Sequence, residues 1–342
     1  MTTKKQKEFE PKSAVYTPDE TSAYAVEAIE RIRSNKRRSA KLDIGGIKDY
    51  FSPVLPGQVT AIIAQTSHYK SSFMHFWERK IAHQLVQEGR EDEAIIHVSV
   101  EECVEEQAFL FLANETGEEA GKLARGEVQD WDKLLAASVK IASIPIYRIG
   151  DSLARAEDLP NLYISNMVRA IGKLTSGEVT GQPVKPAAIF FDYLQAFPFD
   201  PEIKSAELKD QRRLQVREDI YRLRKAASTY LCPVVVGVQA KQQLNRPGRG
   251  NMDVPGMYDG EESSAIAQRC DRIITLYMPA KNVTVGDYVH FGGEEIEVEE
   301  NMLFVKIAKQ RGGLPSGQTW LCRIDFSRNE ITPDKIHTQK GV

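Results

Sequence analysis

Long apolar runs are missing from this sequence of 342 residues. No stretch approaches the roughly 18 consecutive apolar residues of a membrane-crossing helix, and the N-terminal Met-Thr-Thr-Lys-Lys-Gln-Lys lacks the apolar segment of a secretory signal. Cysteine is scarce: Cys103, Cys232, Cys270 and Cys322 stand far apart with no C-x-x-C pair. That spacing predicts core thiols in a reducing compartment, with no disulfide framework and no zinc site. An excess of one charge is lacking too. The net charge is −3, so no global basic field draws the chain onto nucleic acid, and any such contact has to use local patches or a channel built by several subunits. Internal repeats and low-complexity tracts are absent. A cytoplasmic protein with no membrane association is the expectation.

With 42% hydrophobic and 27% charged residues, the chain can bury a substantial core as one α/β domain with appendages. Its organising stretch is 59–72. Val59 to Ala64 are apolar or β-branched and predict a strand covered on both faces. After a turn, Lys70-Ser71 opens a run in which Phe73, Phe76, Trp77, Ile81 and Leu85 recur at helical spacing. Strand, loop, Lys-Ser and helix make the phosphate-binding P-loop arrangement. Gln65, Thr66, Ser67, His68 and Tyr69, with Ser72 in the first helical turn, would surround the phosphates. Lys70 would neutralise their charge, and the Ser71 hydroxyl can bind Mg²⁺. The pattern G-x-x-x-x-G-K-[ST] wants glycine at 64 and 69, where Ala64 and Tyr69 stand. A bulky residue at φ > 0 costs about 1–2 kcal/mol. Alone, the motif leaves open a nucleotide site and an ordinary strand–turn–helix containing Lys-Ser.

Further strands decide between these. Ala94 to Val100 runs into Glu101-Glu102, which reads locally either as an ordinary acidic helix start, with Glu105 and Glu106 following, or as a carboxylate just past a parallel strand that can hold and deprotonate water. Ala187 to Phe191 runs into Asp192-Tyr193-Leu194-Gln195, and an aspartate there is the usual partner of a P-loop, supporting the Mg²⁺ shell. Val234 to Val238 ends at Gln239, a neutral donor placed to sense a γ-phosphate. Their order and spacing point to a nucleotide site.

Elsewhere, residues 1–16 read as a loose arm. Thr17-Pro18-Asp19-Glu20 starts a helix over 18–36 with Ala25, Ile29 and Ile32 on a narrow stripe, to be packed on its own domain or on a neighbouring subunit. Helices are predicted over 105–140 and 157–174, with a short strand near 144–149. A loop over 196–213 carries Lys204, Lys209, Arg212 and Arg213, and leads into a helix through Ala227. A second basic loop follows Gln239 with Lys241, Arg246 and Arg249. Both loops read either as solvated rims or as contacts to a nucleic-acid backbone. A short helix over 264–271, a strand at 273–278, an acidic hairpin at 283–300, and strands at 302–308 and 319–326 close the domain. Lys309 and Arg311, followed by Gly312-Gly313, suit a γ-phosphate and could serve an adjacent subunit's nucleotide.

Together these residues resemble the RecA-like motor domain of the DnaB-type hexameric replicative helicases, over about 40–330. The likeness rests on Leu55-Pro56-Gly57, Val98 to Glu101, Asp192 to Gln195, Val234 to Gln239, Leu244 to Arg246, Ala265 to Asp271 and Lys309 to Gly312. It implies a mostly parallel sheet flanked by helices, with an antiparallel hairpin at the C-terminal edge. The division would be an arm (1–16), a linker helix docked on a neighbour (17–38), the motor domain (39–332) and a tail (333–342). The implied cofactors are ATP and Mg²⁺, the latter held through Ser71 and Asp192, and Glu101 is the implied catalytic base. Lys70 and Gln239 would act on the phosphates, and Lys309 and Arg311 would act in trans. The basic residues of the two loops would grip single-stranded DNA in the channel of a ring, hexameric in that family. The sequence offers no room for the family's N-terminal helical domain, as in motors of phages or mobile elements, so primase or other replication proteins are implied only as a partner class. Against the helicase stands a RecA-like ATP-binding assembly or regulatory protein, with slow or absent hydrolysis because of Ala64 and Tyr69.

Overall fold

A computed structural model describes residues 17–33, 41–42, 44, 46–47, 51, 54–90, 92–150, 162–200, 208–241, 254–261, 264–312 and 316–338. The chain divides into two units, 1–38 and 39–342. The first holds α1 (Pro18–Arg33). Ala25, Val26 and Ile29 are exposed on it, and the Ile32 side chain lies outside the description.

The second unit is built on nine strands. In chain order these are β1 (Val59–Ala64), β2 (Glu93–Ser99), β3 (Ile146–Ile149), β4 (Lys185–Asp192), β5 (Val234–Gln239) and β6 (Arg272–Tyr277), then β9 (Met302–Gln310), β10 (Gln318–Asp325) and β11 (Glu330–Thr338). Between β6 and β9 lies a separate hairpin, β7 (Tyr288–Phe291) and β8 (Glu294–Glu297), at the place of the expected acidic insertion. The sheet order is β11-β10-β9-β6-β1-β5-β4-β2-β3. Every pairing from β6 across to β3 is parallel, and β6 to β11 pair antiparallel. This is the expected mixed sheet.

β1 is buried along its whole length because both its neighbours and both faces are covered. On one face, α2 (Lys70–Gln87) lays Phe73, Phe76, Trp77, Ile81 and Leu85 against Ile62, Phe190 and Trp320. On the other, α6 (Ile164–Thr175), α7 (Leu208–Thr229) and α8 (Ser264–Arg269) cover Val59, Ile63, Ile189 and Val236. α3 (Val104–Thr116), α4 (Ala120–Ala124) and α5 (Trp131–Ala142) follow β2. All four cysteines are buried and none of them forms a disulfide. Among the described residues no helix is long and apolar enough to cross a membrane.

Three expected boundaries move. α6 begins at Ile164 instead of near 157. α7 begins at Leu208, inside the stretch expected to be a loop, because Lys209 to Leu214 contains good helix formers and no breaker. Lys209, Arg212 and Arg213 therefore sit on a helix. The expected tail from 333 is strand through Thr338, since β11 pairs along β10 with Pro333 on the outer edge of the sheet, where a missing N–H is tolerated.

Candidate functional site

Four parallel strands deliver their C-terminal ends to one place, where open α/β sheets bind ligands. β1 leads into the loop 65–69, β2 towards Glu101, β4 ends on Asp192 and β5 on Gln239. Register sets the neighbours: Gln239 stands beside Ala64, and Asp192 beside Ser99.

The loop keeps a P-loop's backbone without its glycine. Tyr69 adopts the left-handed conformation, φ 69° and ψ 20°, and Ser67 is also left-handed, at φ 65°. Ala64 has no positive φ, so a methyl group is no obstacle there. Tyr69 caps α2 with no side-chain hydrogen bond, and the first turn carries no acid. Its free N–H groups and the helix dipole thus face the loop, favourable for an anion.

Lys70 Nζ lies 3.0 Å from Asp192 Oδ1, with both side chains buried, and 3.7 Å over the Tyr193 ring. Gln239 Nε2 donates to Thr66 Oγ1 at 2.8 Å, joining β5 to the loop. Glu101 borders the same cavity of about 370 Å³, with Lys70, Ser71 and Gln239. Burial pushes the Glu101 carboxyl above its ordinary range against the pull of Lys70, and Asp192 and Glu102 push the same way, which suits a proton acceptor. Asp192 Oδ2 is buried with no hydrogen-bond partner. That spare oxygen and the Ser71 hydroxyl fit a hydrated Mg²⁺ ion.

Of the residues expected to hold the nucleotide, Gln65, Thr66, Ser67, Tyr69, Lys70, Ser71 and Ser72 border the cavity. His68 differs. Its side chain turns into the core, where Nδ1 accepts from Met278 N at 3.0 Å and the ring stacks on Tyr277. Burial lowers its pKa to about 4, helped by Lys281, so the ring is a neutral anchor for the loop, leaving only its backbone for phosphates.

Lys309 and Arg311 do not border this subunit's own cavity. Lys309 Nζ donates to the carbonyls of Ala267 (2.5 Å) and Cys270 (2.7 Å). Arg311 donates to Gln268 O at 2.7 Å and pairs with Asp271 at 3.3 Å, with about half its side chain exposed. Among the basic residues, Arg213 and Lys241 are exposed. Arg212 is engaged with Gln195 O at 2.8 Å and the face of Phe199. Lys204, Arg246 and Arg249 lie outside the described residues, as does the Lys209 side chain.

Sequence reasoning missed Gly237. A Cβ there would come within 2.9 Å of Asp192 Oδ1 and 3.1 Å of Met74 Sδ, so glycine lets β5 pass under the Lys70–Asp192 pair. A glycine inside a buried valine run was the available signal. The Tyr69 anchor on the turn after β10, Asn329, had no sequence signal at all.

Solved structures share the fold, two of them as follows. One, an ATPase domain, is 18% identical, with TM-score 0.66 over 92% of this chain and 98% of that one. The other, a DnaB-like replicative helicase described with its interactions with primase, is 18% identical, with TM-score 0.64 over 91% of this chain and 66% of that one. The chain thus spans about two thirds of the second protein. No curated protein matches it. The DnaB-like helicase C-terminal domain family matches residues 45–329. The chain belongs to that family.

Proposed function

We propose that the protein is an ATP-driven, ring-forming helicase motor of the DnaB type that translocates on single-stranded DNA. One observation carries this reading: Lys70, Ser71, Glu101 and Gln239, brought together by adjacent parallel strands, border a single cavity beneath a P-loop backbone, and Asp192, at the end of β4, pairs with Lys70. In the proposed reaction the loop N–H groups and Lys70 hold the β- and γ-phosphates. Glu101 takes the proton of the attacking water, its carboxyl basicity raised by burial. Gln239 couples the γ-phosphate to the loop through Thr66. Bound Mg²⁺, beside Ser71 and Asp192, would neutralise the charge between the phosphates. The adenosine half falls to a neighbouring cavity of about 490 Å³ that shares Ser67 and Tyr69 and is walled by Met278 and Phe326.

Lys309 and Arg311, held away from their own cavity, act on a neighbour's nucleotide in this reading, and α1 docks its exposed apolar residues on the adjacent subunit. Arg213 and Lys241, with Lys204, Lys209, Arg246 and Arg249, meet the DNA backbone. Primase, named with one structural relative, is the partner class carried over. Binding without turnover is the second reading, favoured by the tie between Tyr69 and Asn329.

The test is steady-state ATP hydrolysis with and without single-stranded DNA, in the wild type, Lys70→Ala and Glu101→Gln. Turnover that rises with DNA and disappears in both variants is expected. Nucleotide binding with no turnover in any sample would replace the motor by the binding-driven assembly.

A further inference from the structure

Behind the nucleotide cavity lies a cluster that the proposed hydrolysis does not use. His75 on α2, His97 on β2 and Glu102 just past β2 each offer a ligand atom, and the three atoms lie within 4.8 Å of one another. Both histidines are buried, and Glu102 is mostly so. Underneath them sits Glu78, fully buried on α2. Its Oε2 lies 3.4 Å from His75 Nδ1, and its Oε1 makes a short hydrogen bond with His97 Nδ1. One carboxylate thus takes the Nδ1–H of both rings. That arrangement fixes the tautomer and turns both Nε2 lone pairs outward, as outer-shell carboxylates do for metal-ligating histidines.

The two Nε2 atoms then differ: one faces a carboxylate and the other faces no partner. His75 Nε2 stands 2.7 Å from Glu102 Oε2, so two acceptors face each other unless a proton or a cation lies between them. His97 Nε2 is buried with no hydrogen-bond partner, a state that costs about 1–3 kcal/mol. A single cation satisfies all three atoms.

We propose that His75, His97 and Glu102 form a binding site for a divalent transition-metal ion, zinc in the first instance, distinct from the Mg²⁺ position at Ser71 and Asp192. Two imidazoles and one carboxylate suit a borderline ion and disfavour Mg²⁺, which prefers oxygen ligands. Tetrahedral bonds of about 2.1 Å hold ligand atoms about 3.4 Å apart, so side-chain adjustments of about 1 Å close the set. Glu102 also borders the nucleotide cavity. The ion would clasp α2, one turn beyond Lys70, to the segment carrying Glu101. No local motif announces the set, because its ligands come from three separate places in the chain. The site stands on its own geometry and does not depend on the motor reading.

The experiment uses the full chain, stripped with EDTA and titrated with Co²⁺ and then Zn²⁺. The expected result is one equivalent of Co²⁺ with the visible absorption of a four- or five-coordinate ion. Zn²⁺ should displace it stoichiometrically, excess Mg²⁺ should not, and saturating Zn²⁺ should raise Tm by about 5 °C. His97→Gln, which keeps a donor for Glu78, should bind Co²⁺ at least about 100-fold more weakly and lose the Tm rise. His75→Gln is the second variant, should the first not fold. No Co²⁺ bound with a Kd below about 10 μM, or equal binding by wild type and both variants, would overturn the site.

Discussion

The Tyr69 hydroxyl donates a hydrogen bond of 2.5 Å to Asn329 Oδ1, 260 residues away. Asn329 in turn donates to Ser72 O at 3.1 Å, and its own backbone carbonyl accepts from Arg79 on α2. The turn after β10 is therefore fastened to the first turns of the P-loop helix. Phe326 adds an edge contact to the Tyr69 ring, with centroids 6.0 Å apart. The bulky residue at the glycine position is held left-handed by partners from the far end of the domain.

Removing the hydroxyl alone tests this. Tyr69→Phe should lower stability by about 1 kcal/mol, a few degrees in Tm, with nucleotide affinity nearly unchanged. Tyr69→Gly needs no anchor for its backbone conformation but loses the packing on Phe326. It should cost more stability while leaving turnover within a few-fold of wild type. Thermal melts and ATP turnover on the same preparations check both expectations. A many-fold rise in turnover for Tyr69→Gly would favour binding-driven assembly.

Gly237→Ala should strike the site from beneath. The new Cβ, 2.9 Å from Asp192 Oδ1, must displace the oxygen that pairs with Lys70. Overpacking of this kind costs about 1–3 kcal/mol. Because the strain falls on the Lys70–Asp192 pair, kcat should drop about tenfold or more while the protein stays folded, as circular dichroism would report. Unchanged kcat would mean that Asp192 does not need its observed position.

How much of the molecule is legible in its sequence depends on how local each cause is. Val59 to Ala64, Ala187 to Phe191 and Val234 to Val238 are continuous apolar runs, so the parallel strands and the carboxylates at their ends can be placed from periodicity alone. The start of α7 is hidden because basic residues beside a proline suggest a loop, while Lys209 to Leu214 are also good helix formers. β11 is obscured because its alternation is broken by Pro333 and Asp334. His68 takes a phosphate role by its place in the motif, yet its side chain anchors the loop on Met278 and Tyr277. Tyr69–Asn329 and the reach of His97 from β2 to Glu78 on α2 are contacts between separate elements, and one sequence carries no record of such pairs.

Asp219, buried on α7, gives a pH signature. Burial raises its pKa to about 6 from 3.8, against the Gln215 hydrogen bond and the charges of Arg222 and Arg212, with Asp200 pushing the same way as burial. The folded state therefore binds this proton more tightly than the unfolded chain. The stabilisation is fully present below about pH 4 and is lost as pH rises through about 6, worth up to about 3 kcal/mol. Asp219→Asn should remove that slope and be at least as stable as wild type at pH 7.5. Denaturant melts at pH 4.5, 6 and 7.5 measure the difference between the two proteins, which cancels the opposite trends of other carboxylates. A parallel pair of pH curves would show that Asp219 stays ionised throughout.

Arg311 tests the ring. Within its own subunit it is tied to Gln268 O and Asp271 and does not border the nucleotide cavity, so Arg311→Ala should leave nucleotide Kd within about threefold while turnover falls by about 10³ or more. Loss of turnover alone does not say whose nucleotide the guanidinium serves. Mixing subunits does. In an assembly made from Arg311→Ala and Glu101→Gln chains, some interfaces combine an intact Glu101 from the first variant with an intact Arg311 from the second. If the arginine acts across the interface, the mixture should hydrolyse ATP faster than either variant alone. If it acts within its own subunit, every site in the mixture lacks one essential group, and turnover cannot exceed the weighted mean of the two inactive parents.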